Sequence, residues 1–337
     1  MNRERFLKII ENWKGGKVGV LGDIMLDEYI LGKVSRISPE APVPIVEVSE
    51  EYFLLGGASN MANSIKALGG EPILFGVIGE DSGGEKIIDI LHEKGVMSEI
   101  YIDKNRPTTQ KTRLIALNQQ VVRIDREVKD LISEKIEKII FQTIEENIGN
   151  IDIFVLSDYA KGVLTPKLTS EVISLIKMKN KKIIVDPKGK DYGKYRGATL
   201  ITPNENEAQI ALNTEENFDI VSCAKRLQEI IEGEGVLITR GDKGMFLFQP
   251  NFEVSIPALS SQVRDVTGAG DTVVATLSLA MAGGGDLLES ALLSNFSASI
   301  KVKKLGTAVV STRELISVIP LSLEIKDGWI FNKEEKE

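Results

Sequence analysis

The segment DVTGAGDT, residues 265–272, runs directly into the apolar stretch VVATLSLAMA, which predicts a helix. Its small residues leave backbone N–H groups exposed at the helix N-terminus, where unpaired donors and the helix dipole favour a phosphate. Asp271 would lie beside that phosphate. A carboxylate there repels the anion, so its presence indicates a proton acceptor directed at an incoming hydroxyl group. A glycine-rich turn with an Asp cap is the alternative that this segment alone leaves open.

Residues near the first predicted strand, KVGVLGD, form a second candidate region. Asp23 ends this strand, at the place where open α/β sheets bind ligands. Gly56 and Gly57 open a predicted helix that contains Asn60, and paired glycines allow either a hinge or a close approach of backbone to a ligand. A turn or cap at Asp23 and a plain loop at the glycines are the alternative interpretations.

Asn204 and Glu207 follow Pro203 and begin another predicted helix. Their spacing forms a capping box, which by itself explains both residues. Coordination of Mg²⁺ through water beside a nucleotide is the other hypothesis, because Mg²⁺ keeps much of its water and takes few carboxylates.

Several cations lie in predicted strands or just after strand ends. They are Lys111, Arg113, Arg123, Lys161 and Lys188. In an acidic protein their convergence would suit a substrate phosphate, whereas a solvated strand face is the alternative.

The composition narrows the possible chemistry. The 337 residues include 41 Lys and Arg against 49 Asp and Glu, a formal net charge of −8. This charge argues against non-specific binding to nucleic acid or to an anionic membrane. A single cysteine, Cys223, and a single histidine, His92, exclude an internal disulfide framework and a His/Cys zinc cluster. Neither G-x-x-x-x-G-K-[ST] nor G-x-G-x-x-G after the first strand is present, which weighs against P-loop and dinucleotide-binding proteins.

No signal peptide is evident at the N-terminus, and no run of 18 apolar residues occurs, so we expect a cytoplasmic location.

Short β-branched runs alternate with helical stretches along most of the sequence, which predicts a parallel sheet covered by helices on both faces. Two regions, residues 32–50 and 108–126, break this alternation and predict a small antiparallel sheet beside the main domain. We expect one domain over residues 1–320 with these two segments inserted. A loosely held charged tail is expected over residues 321–337.

The motifs GGASN, PNENE, TRGDKG and DVTGAGDT occur in this order after an N-terminal GD strand. In order and spacing the sequence resembles the ribokinase-like sugar kinases, also called the phosphofructokinase B family, over roughly the whole chain. The resemblance implies a three-layer α/β/α sandwich with a mainly parallel central sheet and a small β-sheet lid. It also implies phosphoryl transfer from ATP with Mg²⁺, and a homodimer formed through the lid.

Within the family, SRISPEAPVPIVEV, KTRLIALNQQVVRIDRE and LSDYAKGVLT most resemble the branch that acts on heptose phosphates. That branch phosphorylates the anomeric C1 hydroxyl of D-glycero-D-manno-heptose 7-phosphate, giving heptose 1,7-bisphosphate for ADP-heptose synthesis. Its bifunctional members carry a nucleotidyltransferase half that this sequence lacks, so a stand-alone kinase is implied. Another sugar or nucleoside kinase of the family, such as a fructokinase, ribokinase or phosphofructokinase, is the near alternative. A non-catalytic ligand-binding regulator with the same fold is the second alternative.

The resemblance also assigns roles to individual residues. Asp271 is implied as the catalytic base, with the backbone N–H groups of Gly268, Ala269 and Gly270 as the anion hole. Residues implied on the nucleotide side are Asn204, Glu207, Thr239, Gly241, Gly244 and Asn295, with Glu207 holding Mg²⁺ through water. Residues implied on the sugar side are Asp23, Gly56, Gly57, Asn60, Lys111, Arg113, Arg123, Asp158, Lys161 and Lys188.

Overall fold

Two β-sheets organise the protein in the computed structural model, which describes residues 2–117, 119–214, 219–259, 263–306, 308–326 and 329–332. The strands in these residues are β1 (Lys17–Gly22), β2 (Ile24–Ile37), β3 (Pro44–Gly57), β4 (Glu71–Gly79), β5 (Met97–Asp103), β6 (Thr109–Ala116), β7 (Gln119–Arg126), β8 (Ile153–Ser157), β9 (Lys182–Asp186), β10 (Leu200–Ile201), β11 (Gly235–Thr239), β12 (Met245–Gln249), β13 (Phe252–Ile256), β14 (Leu323–Lys326) and β15 (Trp329–Asn332). The α-helices are α1 (Arg3–Asn12), α2 (Ala58–Ala67), α3 (Ser82–Glu93), α4 (Glu134–Asn147), α5 (Pro166–Met178), α6 (Glu205–Leu212), α7 (Ile220–Ile231), α8 (Ala269–Ala282), α9 (Leu287–Lys301) and α10 (Thr312–Val318).

The main sheet has the strand order β14-β15-β13-β12-β11-β10-β9-β8-β1-β4-β5. Its strands from β5 to β11 run parallel, and β12 and β13 follow in antiparallel pairing. Alternate residues of β8 point to opposite faces: Val155 packs in one hydrophobic cluster and Phe154 in the other. Helices α1, α2, α3, α8, α9 and α10 contribute to the first cluster, and α4, α5, α6 and α7 to the second. The predicted three-layer α/β/α sandwich is therefore confirmed.

The lid is a four-stranded sheet with the order β3-β2-β6-β7. Strand β2 begins directly after Asp23, and β3 returns the chain to α2 at Gly57. Pairing of β2 with β3 and of β6 with β7 is antiparallel, but β2 pairs with β6 in parallel. The prediction of an antiparallel lid is wrong at this pair, because β6 arrives through the crossover that contains β4, α3 and β5 and so enters in the same direction as β2.

The lid strands also reach further inward than the predicted segments 32–50 and 108–126. The outer half of β2 is exposed, whereas Met25, Leu26 and Tyr29 of its inner half are buried against the main domain. The first six residues of β2 are buried on both faces, as in a core strand of the main sheet, although they include Asp27 and Glu28.

Helix α8 is the central helix of the first layer. Its residues from Asp271 to Met281 are all buried, and the hydroxyl groups of Thr276 and Ser278 donate to carbonyls of the preceding turn, those of Thr272 and Ala275. Burial on every side holds the helix, and with it the loop that leads into it, in one place.

The C-terminal residues differ from the predicted loosely held tail. Strands β14 and β15 form an antiparallel hairpin, and β15 pairs with β13 at the edge of the main sheet. The described residues 323–326 and 329–332 of the expected tail are therefore in strands, and residues 327, 328 and 333–337 lie outside the described part. None of the described helices is long and apolar enough to cross a membrane.

Candidate active site

The carboxyl ends of β8, β9 and β11 meet the N-terminus of α8 at one edge of the main sheet. A cavity of about 140 Å³, here called the strand-end cavity, lies between them. Its walls include Tyr159, Asp186, Lys188, Glu207 and Gly270. Parallel strands bring side chains that are far apart in sequence to this common edge, which is where ligands bind in open α/β sheets.

Asp271 lies in the first turn of α8 and is 4% exposed. Its carboxylate accepts a hydrogen bond from the Asn60 side-chain amide, and a second from the Tyr159 hydroxyl at 2.7 Å. Burial raises the pKa of Asp271, and the two hydrogen bonds oppose this effect. The carboxylate is thus fixed by two donors from different layers of the fold.

Tyr159 was missed by the sequence analysis, although its neighbour Asp158 was included. Burial raises the pKa of Tyr159 well above its usual value, so the hydroxyl stays protonated and donates to Asp271. The available signal was its position directly after a strand end, in the motif SDYAKG.

The N-terminus of α8 has no side-chain cap. Its N-cap residue is Gly268, whose φ of 72° is in the left-handed region that favours glycine. A Cβ atom at this position would lie 2.9 Å from the Asn60 amide nitrogen. Within the described part of the chain, the N–H groups of Gly268 and Gly270 have no protein acceptor. The N–H of Ala269 differs, because it donates to the Val266 carbonyl at 3.1 Å, so it is not a free member of the predicted anion hole.

The Asp23 carboxylate binds backbone N–H groups of the loop after β8. It accepts backbone N–H groups of Tyr159, Lys161 and Val163 at 2.8, 3.0 and 3.1 Å. Burial and the neighbouring Asp158 raise the pKa of Asp23, and these hydrogen bonds lower it. The structure therefore uses Asp23 to hold the loop that carries Tyr159, and the predicted contact of Asp23 with substrate stays a prediction.

Asp158 holds the same region from the other side. Its carboxylate accepts the Ala160 N–H at 2.7 Å, the Lys194 ammonium at 2.5 Å and the Tyr195 hydroxyl at 2.7 Å. Both oxygens of Asp158 are thus hydrogen-bonded within the protein and organise the loop, and its predicted contact with the sugar stays a prediction.

The inner lid adds a carboxylate that the sequence analysis missed, Asp27 of β2. It is buried and pairs with the Arg113 guanidinium at 2.6 Å. A Cβ atom on Gly56 would lie 2.9 Å from Asp27 Oδ2, so Gly56 makes room for this carboxylate, while Gly57, with φ of 54°, turns the chain into α2. The charge of Asp27 also contributes to raising the pKa of Asp271.

One polar side-chain atom of Asn60 has no hydrogen-bond partner among the described residues. Its amide nitrogen is bound to Asp271, whereas its Oδ1 is buried and has no partner among the described residues. An unpaired buried oxygen beside the candidate base is an acceptor for a hydroxyl group of a bound substrate.

The predicted group of cations separates into two places. Lys161 lies 2.8 Å from Glu127, and Lys111 lies 3.4 Å from both Glu127 and Asp125. Arg123 is half-exposed and pairs with Asp125 at 2.9 Å. These three cations belong to the lid side together with Arg113. Lys188 instead reaches Glu207 at 2.6 Å in the strand-end cavity.

Asn204 and Glu207 form the predicted capping box of α6. The Asn204 side-chain oxygen accepts the Glu207 N–H, and the Glu207 carboxylate accepts the Asn204 N–H, both at 2.9 Å. The other Glu207 oxygen binds Lys188. Asp186 lies in the same cavity, and its pKa is raised well above the usual range by burial and by the charges of Asp271 and Glu207.

No cluster of three or more His, Cys, Asp or Glu side chains in the described residues could enclose a metal ion. Asp186 and Glu207 supply the carboxylate oxygens that Mg²⁺ prefers, and Mg²⁺ usually needs only one or two carboxylates besides its waters and substrate phosphates. The residues present therefore fit a hydrated magnesium ion and not a protein cage.

A second, apolar pocket of about 320 Å³ lies on the other side of the first turn of α8. Its walls include Val266, Val273 and Ala298, and the predicted residues Thr239, Gly241, Gly244 and Asn295 also line it. Asn295 donates to the Pro257 carbonyl at 2.8 Å and so ties α9 to the loop after β13. Gly244 has φ of 88°, and a Cβ there would lie 2.0 Å from the Ile256 carbonyl oxygen. An apolar pocket with a few polar groups at its edge suits a nucleoside.

A buried carboxylate at an uncapped helix N-terminus, flanked by an apolar pocket and a lid, defines a small-molecule phosphotransferase of the α/β class. Residues 17–313 match the sequence profile of the pfkB family carbohydrate kinases, and the chain belongs to this family. As a member, it is an ATP-dependent carbohydrate kinase.

The chain is 43% identical over 338 residues to the bifunctional protein HldE of Trichlorobacter lovleyi, covering 99% of this chain and 69% of that protein. Among solved structures it resembles phosphofructokinase-2 from Escherichia coli in complex with potassium, with a TM-score of 0.74 and 19% identity over 90% of this chain and 97% of that one. It also resembles Arabidopsis thaliana ribokinase complexed with ribose and ATP, with a TM-score of 0.70 and 20% identity over 90% and 98%. At these identities the two structures establish the fold alone.

Proposed function

We propose that the protein transfers the γ-phosphoryl group of ATP to the anomeric C1 hydroxyl of D-glycero-D-manno-heptose 7-phosphate. The observation that carries this proposal is the Asp271 carboxylate, held by Tyr159 and Asn60 at the uncapped N-terminus of α8. The similarity to the bifunctional protein HldE over almost the whole chain supports a heptose phosphate as the sugar.

In the proposed reaction, Asp271 accepts the proton of the C1 hydroxyl group while the C1 oxygen of the sugar forms a bond to the γ-phosphorus. The bond from that phosphorus to the β–γ bridging oxygen breaks, and ADP leaves. The free N–H groups of Gly268 and Gly270, together with the helix dipole, stabilise the charge on the transferring group. Tyr159 keeps the base oriented, and the unpaired Asn60 oxygen accepts a sugar hydroxyl.

The nucleotide is proposed to lie with its nucleoside in the apolar pocket and its phosphates across the first turn of α8. Asp186 and Glu207 would hold Mg²⁺ through its water molecules in the strand-end cavity, and Lys188 would neutralise phosphate charge there. When bound, the ion screens the negative charge of the triphosphate.

The 7-phosphate is proposed to bind on the lid side, where Lys111 and Lys161 converge on Glu127. Glu127 and Asp125 hold the cations in place, and burial of the Lys111 and Lys161 side chains to 18% and 14% exposure keeps them from swinging freely in solvent. Arg123 and Arg113 extend the basic surface outward and inward along β7 and β6.

We further propose a homodimer formed through the lid. Every residue of the edge strand β7 is exposed, and it carries Val121, Val122 and Ile124, 46%, 42% and 59% exposed, while Ile37 and Val48 of the outer lid are 68% and 60% exposed. An exposed apolar edge strand is a template for pairing with another chain, and a second copy of this sheet fits it. Sedimentation of Ile124→Lys against the unchanged protein tests this proposal, since a dimer that uses this face should dissociate.

The test of the main proposal is an assay of ATP consumption with Mg²⁺ on a panel of sugars. The panel holds D-glycero-D-manno-heptose 7-phosphate, sedoheptulose 7-phosphate, fructose 6-phosphate, fructose and ribose, and the phosphorylated carbon of each product is identified. Activity confined to the manno-heptose phosphate, with the new phosphate on C1, is the expected result. Turnover of fructose or ribose instead would overturn the substrate and keep the carbohydrate kinase.

A further inference from the structure

Lys301, the last residue of α9, is a buried ammonium that the proposed mechanism does not use. It is 1% exposed, and lysine is almost never fully buried without a partner. Its ammonium donates to the Gly306 carbonyl at 2.5 Å, and no carboxylate of the described residues lies within ion-pair distance of it. A buried ammonium whose close partner is a neutral carbonyl can stabilise a negative charge that lies nearby.

The lysine lies against the anion-hole loop. Its Cε is 3.5 Å from the point that a Cβ of Gly268 would occupy. Gly306, the acceptor of the ammonium, donates its own N–H to Asp265 Oδ2 at 2.7 Å, and the other Asp265 oxygen accepts the Thr267 N–H at 2.9 Å. Lys301, Gly306 and Asp265 therefore connect the end of α9 to the chain that leads into the anion hole.

The backbone joins the same two segments a second time. The Val302 carbonyl accepts the N–H groups of Arg264 and Asp265 at 2.7 and 3.2 Å. The loop before α8 thus depends on the chain after α9 for its position, and the only buried ammonium in the described residues sits at that junction.

The electrostatics agree with this placement. Burial lowers the pKa of Lys301, and the negative charges of Asp265 and Asp271 offset part of this effect. In return, Lys301 opposes the rise that burial causes in the pKa of Asp271.

We propose that Lys301 is a positioning residue that acts as a built-in monovalent cation beneath the anion hole. It fixes the loop of residues 264–268 and adds positive charge behind the N–H groups that receive the transferring phosphoryl group. The carbonyl and the nearby carboxylate are ligands that a free monovalent cation would otherwise take, so the kinase needs no added monovalent cation. This inference rests on the proposed function of the α8 N-terminus.

The experiment compares Lys301→Met, which removes the charge but keeps most of the side-chain volume, with Lys301→Ala, which leaves a cavity. Lys303→Ala, which removes an exposed lysine two residues further on, is the matched control. Turnover is measured with the active sugar at constant ionic strength in tetramethylammonium chloride, a cation too large for the cavity, and then with ammonium, methylammonium or potassium chloride.

We expect both Lys301 variants to lose about tenfold in kcat, less than the loss of a direct anion-hole donor, with a smaller change in the KM of the sugar. Ammonium or methylammonium should restore much of the activity of Lys301→Ala, whereas the unchanged protein and Lys303→Ala should respond to none of the salts. Rescue by a cation is a readout that a merely structural lysine would not give.

Three results would overturn the inference: full turnover of Lys301→Met, a loss that no cation restores, or stimulation of the unchanged protein by potassium. The last needs no variant, so it applies even if the variants fail to fold. Calorimetric titration with ATP in the absence of sugar tests the role of Lys301 separately from the proposed function. Silence on every sugar would contradict the proposed function, whereas cation-restored ATP binding in Lys301→Ala would still support the role of the lysine.

Discussion

Two helix N-termini meet at the strand-end cavity, and they are built in opposite ways. Helix α6 begins with a capping box in which Asn204 and Glu207 satisfy each other's N–H groups. Helix α8 begins at Gly268, without any side-chain cap, and leaves N–H groups unpaired. A good N-cap stabilises a helix by about 1 kcal/mol, so α8 gives up stability that its burial in the core replaces. Only the uncapped helix can offer its donors to a phosphate.

The largest expected effect comes from removing the carboxylate at the uncapped end. Asp271→Asn should lower kcat by about 10² or more, because the amide cannot accept the proton, while ATP binding measured by calorimetry changes little. Asp89→Asn on the exposed face of α3 is the control and should keep full activity. Unchanged turnover of Asp271→Asn would remove the α8 N-terminus from the chemistry.

A smaller effect is expected from adding one methyl group at the N-cap of α8. Gly268→Ala strains a left-handed residue and brings its Cβ to 2.9 Å from the Asn60 amide nitrogen, so the hydrogen bond to Asp271 is disturbed. We expect a loss of about tenfold in kcat, since small misplacements at a site are costly.

Gly284→Ala is the matched control, because Gly284 also has a positive φ, of 85°, but nothing lies within 4 Å of its added Cβ. Both variants should lose about 1 kcal/mol in the free energy of unfolding from backbone strain. Equal activity of the two variants would show that the crowding at Asn60 is irrelevant.

Tyr159→Phe should change the pH dependence more than the maximal rate. The hydroxyl of Tyr159 lowers the pKa of Asp271, so its removal raises that pKa and leaves less of the base ionised at low pH. The acidic limb of kcat/KM should therefore move to higher pH, with a loss of about fivefold on that limb, the worth of one hydrogen bond. If kcat/KM falls by the same factor at every pH and the acidic limb does not move, a group other than Asp271 is responsible for that limb.

Removal of the N-cap of α6 should affect the stability of the protein more than its activity. Asn204→Ala should lower the free energy of unfolding by about 1 kcal/mol, measured by urea denaturation. Asp286→Ala removes the corresponding N-cap of α9 and should cost a similar amount. We expect the KM for ATP to rise only in Asn204→Ala, and an equal KM in both variants would make Asn204 a cap and nothing more.

The sequence was informative where chemistry and local structure coincide. The capping box of Asn204 and Glu207, the glycine-rich start of α8 and the alternation of strands and helices all follow from neighbouring residues, and the structure contains each of them.

Sequence reasoning could not show which side chains contact distant parts of the chain. Asp23 was predicted to bind the sugar because it ends a strand, and that pattern does not show that its carboxylate also accepts N–H groups of a loop more than 130 residues away. The cations were predicted to converge, but the structure separates them, since Lys188 pairs with Glu207 whereas Lys111 and Lys161 pair with Glu127.

By itself, the sequence determined the class of fold, the family and the position of the base, because these depend on periodicity and on a short motif at one helix start. Only the tertiary structure decided which groups hold that base. Tyr159 and Asp271 are 112 residues apart and Asn60 and Asp271 are 211 apart, and they meet because parallel strands and the central helix end at one edge. The buried Lys301 and the parallel pairing of β2 with β6 were decided in the same way, since burial and strand direction depend on crossovers that no local pattern records.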